Sequence, residues 1–456
     1  MNEKLENFKK RFCGESADLI GAGVSNIAAA RFLRQCGMTV RLRDRSDITA
    51  STLADMDEIG VKCIYGKRYL DDIDAPIVLR SPGIRPDIPE LATARENGSL
   101  VTTEIGLFCM LCNCRVIAVT GSDGKTTTST VIYEMLRRHG LNVFLGGNIG
   151  TPPIGKLNDL GDGDYAVLEM SSFQLMDCDI SPWRAVVTNV TPNHLDWHTS
   201  MDEYISAKSN IFRSLPDDGT AILSLDNDVT SEYAKSCKNM TFSTEKNADI
   251  RLVDDCIVFR GKRVLNVGDI SVRGLYNVRN YMAAVGAVGD VVNVEDIRDV
   301  AVNFRGVRHR AEIVYSDGGI DCIDSSIDTT PSRTIATLDS FDRPVILIVG
   351  GYDKLAPIDP LVPVLKKHTK YICCTGDNGK RIYDMMLESA YDEANIIYIA
   401  QFDDAVANAV DAASCDDIIL LSPAAASFDR FRNYEQRGDR FAAVVKEKLG
   451  LRLKGH

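Results

Sequence analysis

The chain has no apolar run approaching the roughly 20 residues that a membrane helix needs. Its most apolar stretch of that kind, "VILIVGG" (345–351), has the length of a buried strand. The first dozen residues, "MNEKLENFKKRF", are charged and amphipathic and lack the apolar core of a signal peptide, so a cytoplasmic location without membrane attachment is expected. A basic excess is also missing. The formal net charge is −12, which argues against a nucleic-acid binder. Anionic small molecules stay open, because helix N-termini and single cations hold them. No even cysteine framework exists either: thirteen scattered cysteines suit a reducing compartment. "CMLCNC" (109–114) has no second cysteine pair after it, so its thiols read as core and surface groups before metal ligands. Low-complexity and Pro/Ser-rich linkers are absent, and domain boundaries must be placed where each strand–helix series restarts.

What is present, 456 residues with 45% hydrophobic and 25% charged content, suits two to four soluble domains. Short β-rich runs alternate with amphipathic stretches throughout, which predicts an α/β protein with largely parallel sheets. One series opens at "ADLIGAGVSNIAAARFLRQCG", continues through "TVRLRD" and "APIVLRSPG", and runs out near "TEIGLFC". A second starts at "RVIAVTGSDGKTTTSTVIYEMLRRHG" and passes through "YAVLEMSS", "RAVVTNVT" and "TAILSLDND". It becomes hairpin-like around "IRLVDDCIVFRGKRVLNV" and closes with helices. A third follows "RHRAEIVY", with strands "RPVILIVGG", "KYICCTG", "NIIYIA" and "DIILLSP" and a closing helix from about 429 to 448.

"VTGSDGKTTTST" (119–130) is a strand, a glycine turn and a helix start, the arrangement in which backbone N–H groups and a helix dipole face a phosphate. Val119 stands where the longer phosphate loop has its first glycine, and Gly121 comes two positions late. In a phosphate site Lys125 reaches the β/γ-phosphates and Thr126 offers a hydroxyl to Mg²⁺; the plainer alternative is an ordinary βα turn. Asp123 is electrostatically awkward there unless it faces solvent or its own loop. "GAGVSN" (21–26) is a weaker signal, since Asn26 replaces the third glycine of the dinucleotide fingerprint. With Asp44 at the next strand end it reads either as a nucleotide-sugar site or as a tight turn of a Rossmann-like sheet. Glu169 in "LEMSSFQL" and His194 in "VTNVTPNHLDWH", with Asp196, fall at strand ends and suit metal–phosphate chemistry. Lys208, on a helical "YISAKSNIF", reads by itself as a solvated side chain. Asn277 and Asn280 share a helical face and would read a base edge or cap the helix. Arg305, Arg308, His309 and Arg310 form a cationic group, either an anion clamp or a basic surface turn.

Taken in order, "TGSDGKTTT", "GGNIG", "LEMSSFQL", "NVTPNHLD", the lysine of "YISAKSNIF", "NVRN", "RHRAE" and "LLSPAAASFDRFRNYEQRGDRF" resemble the Mur ligase family of peptidoglycan synthesis over nearly the whole chain. "SSFQL" and the closing motif single out its D-glutamate-adding members. The resemblance implies three α/β domains: a Rossmann-like UDP-sugar domain (1–104), a central P-loop ATPase-like domain (105–307) and a Rossmann-like amino-acid domain (308–456). It implies that ATP phosphorylates the carboxylate of UDP-N-acetylmuramoyl-L-alanine and that D-glutamate attacks the acyl phosphate, in a monomer using two Mg²⁺ sites. A related ligase adding another amino acid and a non-catalytic UDP-sugar-binding relative are the alternatives.

Carried over by position, Gly121, Ser122, Asp123, Gly124, Lys125, Thr126 and Thr127 hold the phosphates. Asn277 and Asn280 contact adenine, and Arg310 and Asp324 reach ATP. Lys125, Glu169, His194 and Lys208 are implied to be catalytic, and Thr126, Glu169, His194 and Lys208, once carbamylated, to ligate metal. Gly23, Val24, Ser25, Asp44, Ser81 and Asn148 fall at UDP-sugar positions, and Lys354, Ser427, Phe428 and Tyr434 at amino-acid positions. "DSSIDTT" (324–330) departs from a common Asp-Ser-Lys-Ala-Thr: Ser326 takes the place of the lysine and Asp328 that of the threonine. An extra carboxylate beside a dicarboxylate substrate is unexpected.

Overall fold

The computed structural model describes residues 2–195, 197–272, 274–353 and 357–454, which leaves Asp196 and Lys354 outside the described residues. Three sheets, mostly parallel, carry the α/β pattern read from the sequence. The first comprises β1 (Ser16–Ile20), β2 (Thr39–Asp44), β3 (Lys62–Tyr65), β4 (Ile77–Arg80) and β5 (Leu100–Thr102). Its order is β3-β2-β1-β4-β5 and every pairing is parallel. The chain reverses its lateral direction between β1 and β4, so the loops after these two strands flank the crevice where such sheets take ligands.

The second sheet comprises β6 (Arg115–Thr120), β7 (Val143–Gly147), β8 (Tyr165–Glu169), β9 (Arg184–Val187), β10 (Thr220–Ser224), β11 (Asn239–Ser243), β12 (Ile250–Val253), β13 (Cys256–Phe259) and β14 (Lys262–Asn266). They lie in the order β14-β13-β12-β11-β10-β9-β6-β8-β7, with only the predicted hairpin segment, β12 to β14, antiparallel. Buried β-branched residues fill β6, as expected of a strand covered on both faces. One continuous apolar cluster joins the first two sheets, running from Leu19 and Leu42 through Phe108 to Ala118 and Leu168. Residues 1–304 accordingly form one compact unit and 305–456 another.

In the second unit, β15 (Glu312–Asp317), β16 (Ile320–Asp324), β17 (Val345–Gly350), β18 (Thr369–Thr375), β19 (Ile396–Tyr398) and β20 (Ile418–Leu421) lie in the order β15-β16-β20-β17-β18-β19. Only β15 is antiparallel. The closing helix runs Tyr434–Lys454, not from about 429 as the sequence suggests. Asn433 sets the later start: its Oδ1 accepts the Gln436 N–H at 2.8 Å, while Gln436 Oε1 reaches back to the Arg432 N–H at 2.9 Å. Residues 424–433 are thereby left as a loop.

Candidate active site

The shortened phosphate loop joins β6 to the helix Lys125–Arg138, whose N-cap is Gly124 at φ 78°. Its path is held from outside: the Ser122 N–H donates to Asn189 O, the Asp123 N–H to Asn189 Oδ1, and Thr188 Oγ1 to Asp123 O at 2.6 Å. Gly121 lies so close to Thr188 that a Cβ there would collide with its hydroxyl. Asp123 therefore serves through its backbone while its side chain is exposed, which removes the electrostatic objection to it. The Ser122 hydroxyl is taken up by Thr191 O (2.8 Å) and Tyr204 Oη (2.9 Å). Lys125 Nζ donates to Gly121 O and Ser122 O, both at 2.9 Å, and Thr126 is buried behind it. Thr127 is half-buried.

Lys208 is 1% exposed, so the solvated side chain expected from its helix is overturned. The helix Met201–Ser209 packs its lysine under the phosphate loop, where Nζ donates to Gly121 O at 2.8 Å and lies 4.7 Å from the Tyr204 ring centre. Burial, then the nearby Lys125 charge, push this ammonium well below the usual lysine range, against the opposing pull of Asp123 and Glu169. Glu169, at the end of β8, is 2% exposed. Its Oε1 accepts from Asn148 Nδ2 at 2.8 Å, while Oε2 is buried without a hydrogen-bond partner among the described residues. Such an orphaned anionic oxygen costs free energy unless a cation or donor meets it. Thr126, Glu169 and His194 supply hydroxyl, carboxylate and imidazole, and this oxygen-rich set fits Mg²⁺. His194 is exposed at φ 55°, a backbone region that non-glycine residues rarely enter, with its ring 5.0 Å from that of Phe173.

Asn277 and Asn280 are buried against the phosphate-loop helix: Asn280 Oδ1 accepts from Thr128 Oγ1 at 3.3 Å and its Nδ2 donates to Asn277 Oδ1 at 3.2 Å. Around the first crevice, Asp44 accepts the Ala22 N–H at 2.7 Å, Ser81 Oγ donates to Gly21 O, and Gly23 caps the helix that begins at Val24 and Ser25. Val24 is 72% exposed. Asn26, which looked like a damaged fingerprint, is fully buried, and its amide ties Ile20 O, Gly21 O and Ser81 Oγ together. It replaces the glycine by fastening β1 to β4.

The C-terminal unit differs. Asp324 is fully buried, accepting from His309 Nδ1 at 2.7 Å and from the Ser326 N–H at 2.8 Å. Arg310, the last of the same basic run, is exposed. Of that run His309 alone is buried, so the alternatives of clamp and surface turn divide within four residues. Asp328, the unexpected carboxylate, turns inward onto Thr337 Oγ1 and Ser422 Oγ, both at 2.8 Å. Ser326 makes room for Arg437, a residue not picked from the sequence although it stands in the quoted "NYEQRG" motif. Arg437 donates to Ser326 Oγ and O, Ala425 O and Ala426 O, with burial drawing its guanidinium down to about 10. It thus moulds the turn carrying Ser427 (buried) and Phe428 (64% exposed), and Ser326 Oγ binds Tyr434 O. Among the described residues one group of three metal-ligating side chains lies together, His309, Glu312 and Asp324, and no cysteine belongs to it. Cys112 and Cys114 are buried and Cys109 half-buried.

Comparison with known proteins agrees with this geometry. The Mur ligase middle domain matches residues 119–288, and the Mur ligase glutamate ligase domain matches 309–425. A UDP-N-acetylmuramoylalanine–D-glutamate ligase of Acetivibrio thermocellus is 42% identical over 98% of this chain and 99% of its own. Proteins of the same name from Ruminiclostridium cellulolyticum and Clostridium botulinum are 38% and 36% identical, each over 98% of this chain and 99% of theirs. Among solved structures, UDP-N-acetylmuramate–alanine ligase of Thermotoga maritima superposes with a TM-score of 0.55 at 20% identity, covering 97% of this chain and 100% of that one. The MurF ligase of Thermotoga maritima in complex with ADP gives 0.54 at 16% identity, covering 99% and 100%. These two share the fold. The full-length relatives establish descent, and the chain belongs to the Mur ligase family.

Proposed function

We propose that the protein is the ATP-dependent ligase that joins D-glutamate to UDP-N-acetylmuramoyl-L-alanine, with release of ADP and phosphate, in peptidoglycan precursor synthesis. The observation that carries this reading is the gathering of the phosphate loop, Glu169 and the buried Lys208 at one end of the second sheet, in a chain so similar to ligases bearing that name. A carboxylate is a poor acyl donor because oxide is a poor leaving group. Attack of one carboxylate oxygen on the γ-phosphorus of ATP expels ADP and yields an acyl phosphate. The D-glutamate amine then adds to the acyl carbon, phosphate leaves with the bonding pair, and the nitrogen loses its proton.

This chain's residues are assigned to those steps by their chemistry. The N–H groups of Gly124 to Thr127 and the Lys125 ammonium are assigned to the transferring phosphoryl group, where positive charge stabilises what develops. Gly121, Ser122 and Asp123 shape the loop, the N–H groups of the last two being taken up by Asn189. Thr126, Glu169 and His194 would hold Mg²⁺, which when bound supplies Lewis-acid neutralisation of phosphate charge. Lys208, favoured as the neutral amine by burial, is in the form that adds CO₂ with loss of a proton, giving a carbamate that offers oxygen in place of nitrogen. Asn277 and Asn280 are assigned to adenine, and Gly23, Val24, Ser25, Asp44, Ser81 and Asn148 to the UDP-sugar. Ser427, Phe428 and Tyr434 are assigned to D-glutamate, and the three regions 1–104, 105–307 and 308–456 to sugar, ATP and amino acid. Phosphate release with UDP-N-acetylmuramoyl-L-alanine, compared across D-Glu, L-Glu, L-Lys and meso-diaminopimelate, tests the reading. Turnover with D-Glu alone is expected; turnover with a different amino acid changes the substrate, and none with any returns the non-catalytic relative.

A further inference from the structure

The loop after β4 touches both ligand regions of the first unit. Ser81 borders the sugar-side crevice, and four residues later Arg85 spreads its guanidinium over Trp197, three residues after His194. Its Nη1 donates to Trp197 O at 2.9 Å, and its Nη2 reaches Glu203 Oε1 at 2.8 Å and Asp87 Oδ2 at 2.7 Å. The guanidinium carbon is 5.1 Å from the Trp197 ring centre, and the indole N–H donates back to Gly83 O at 3.2 Å. Glu203 also accepts from His198 Nδ1 (3.1 Å) and the Thr199 N–H (2.9 Å), and His198 Nε2 meets Ser172 Oγ at 2.8 Å. Phe173 lies against His194, Trp197 and His198, with ring centres 4.4 to 5.6 Å away. From the same helix as Glu203, Tyr204 bonds Ser122 of the phosphate loop and Lys208 bonds Gly121. One helix therefore connects the Arg85 bridge to the nucleotide side.

We propose that Arg85 is a positioning residue that fastens Trp197, His198 and the helix Met201–Ser209 to the sugar-side loop, so that occupation of the crevice beside Ser81 sets the geometry around His194. This rests on the assignment of that crevice to the UDP-sugar. His194 is held in a sparsely populated backbone region, which persists only where surrounding contacts enforce it. His194 O accepts the Trp197 and His198 N–H groups at 3.1 and 3.0 Å, its own N–H donates to Asn193 Oδ1 at 2.9 Å, and Phe173 faces its ring, so the Arg85 clamp acts on it through Trp197. Arginine suits the task because a planar fork engages two carboxylates and a carbonyl while stacking on an indole; lysine offers a point charge and cannot do all three.

The chain has two tryptophans, Trp183 and Trp197, so Trp183→Phe leaves Trp197 as the sole indole reporter beside Arg85. In that background, binding of UDP-N-acetylmuramoyl-L-alanine by calorimetry, Trp197 emission, kcat and KM are compared for the parent, Arg85→Met and Arg85→Lys. The parent is expected to change Trp197 emission on binding. Arg85→Met should still bind in calorimetry but lose the emission change, with kcat lower by on the order of 10- to 100-fold. Arg85→Lys should recover part of both. Should Arg85→Met fail to fold by thermal melting, Glu203→Gln, which removes the bridge from its other side, is expected to give the same split. An Arg85→Met protein with parental kcat and emission change overturns the proposal, as does a raised KM with unchanged kcat. Absence of calorimetric binding to the parent instead overturns the assignment of the crevice.

Discussion

The end of the nine-stranded sheet in the first unit and the second unit both hold buried ionisable groups, but they treat them in opposite ways. At the end of the nine-stranded sheet, Lys208 is buried on neutral carbonyls, Glu169 keeps one oxygen unpartnered, and His194 occupies a strained backbone region. In the second unit Asp324, Asp328 and Arg437 are equally buried, yet each spends its hydrogen bonds on neighbouring protein groups. Glu169 Oε2 has no hydrogen-bond partner among the described residues, whereas Arg437, although burial draws its guanidinium down as well, gives its donors to protein oxygens, as a scaffold group does. Burial of charge alone does not separate the two.

Substitutions break or sharpen this contrast. The largest effect is expected from Lys208→Ala, about 100-fold or more in kcat, partly restored by short carboxylates such as formate. Full activity without them would move Lys208 to the scaffold class. Next comes Arg437→Met, which strips donors from Ser326, Ala425 and Ala426 and should cost roughly 3 kcal/mol or more in urea unfolding. A loss of activity with no loss of stability would instead make Arg437 a substrate contact. Gly438→Ala would drive a Cβ into the His309–Asp324 pair, and about 1–3 kcal/mol of destabilisation is expected; unchanged stability would mean that the pair gives way easily. The last effect depends on pH and concerns Glu104, a buried carboxyl that accepts the Ile154 N–H at 2.7 Å. Burial raises it from 4.5 to about 8, with the Ile154 bond opposing. Because the folded state favours its protonated form, its stabilisation is complete below pH 4.5 and is lost as pH rises through about 8. The melting temperature of the parent should fall across that window more than that of Glu104→Gln. Equal slopes would show that Glu104 does not titrate as described.

Local pattern made much of the framework legible. Short apolar, β-rich runs marked β6, β8, β17 and β20, closely spaced short runs marked the β12–β14 hairpins, and the glycine turn with its helix start marked the loop after β6. What was hidden depends on contacts distant in sequence. Nothing around Lys208 says that its helix lies under Gly121, so only family resemblance drew attention to it. Asn26 read as a missing glycine because its amide partners include Ser81, 55 residues away. Asp328 looked like an intruding charge until Ser422, 94 residues on, proved to receive it. The closing helix, expected over about 429 to 448, runs Tyr434–Lys454, because the Asn433 cap that sets its start is a weak signal in the sequence pattern.

The close approach of Gly121 to Thr188 bears on how such loops are recognised and transplanted. The loop's path is set by its neighbour: its backbone is pressed against Thr188, just past the end of β9, before it turns. Val119, which occupies the vacant glycine position, is a fully buried rung paired with Glu169 on one side and Val186 on the other. Engineering a glycine there to mend the familiar spacing would hollow out the sheet and give the loop nothing. A portable version of this loop must carry the bracing segment of Thr188 and Asn189 along with it.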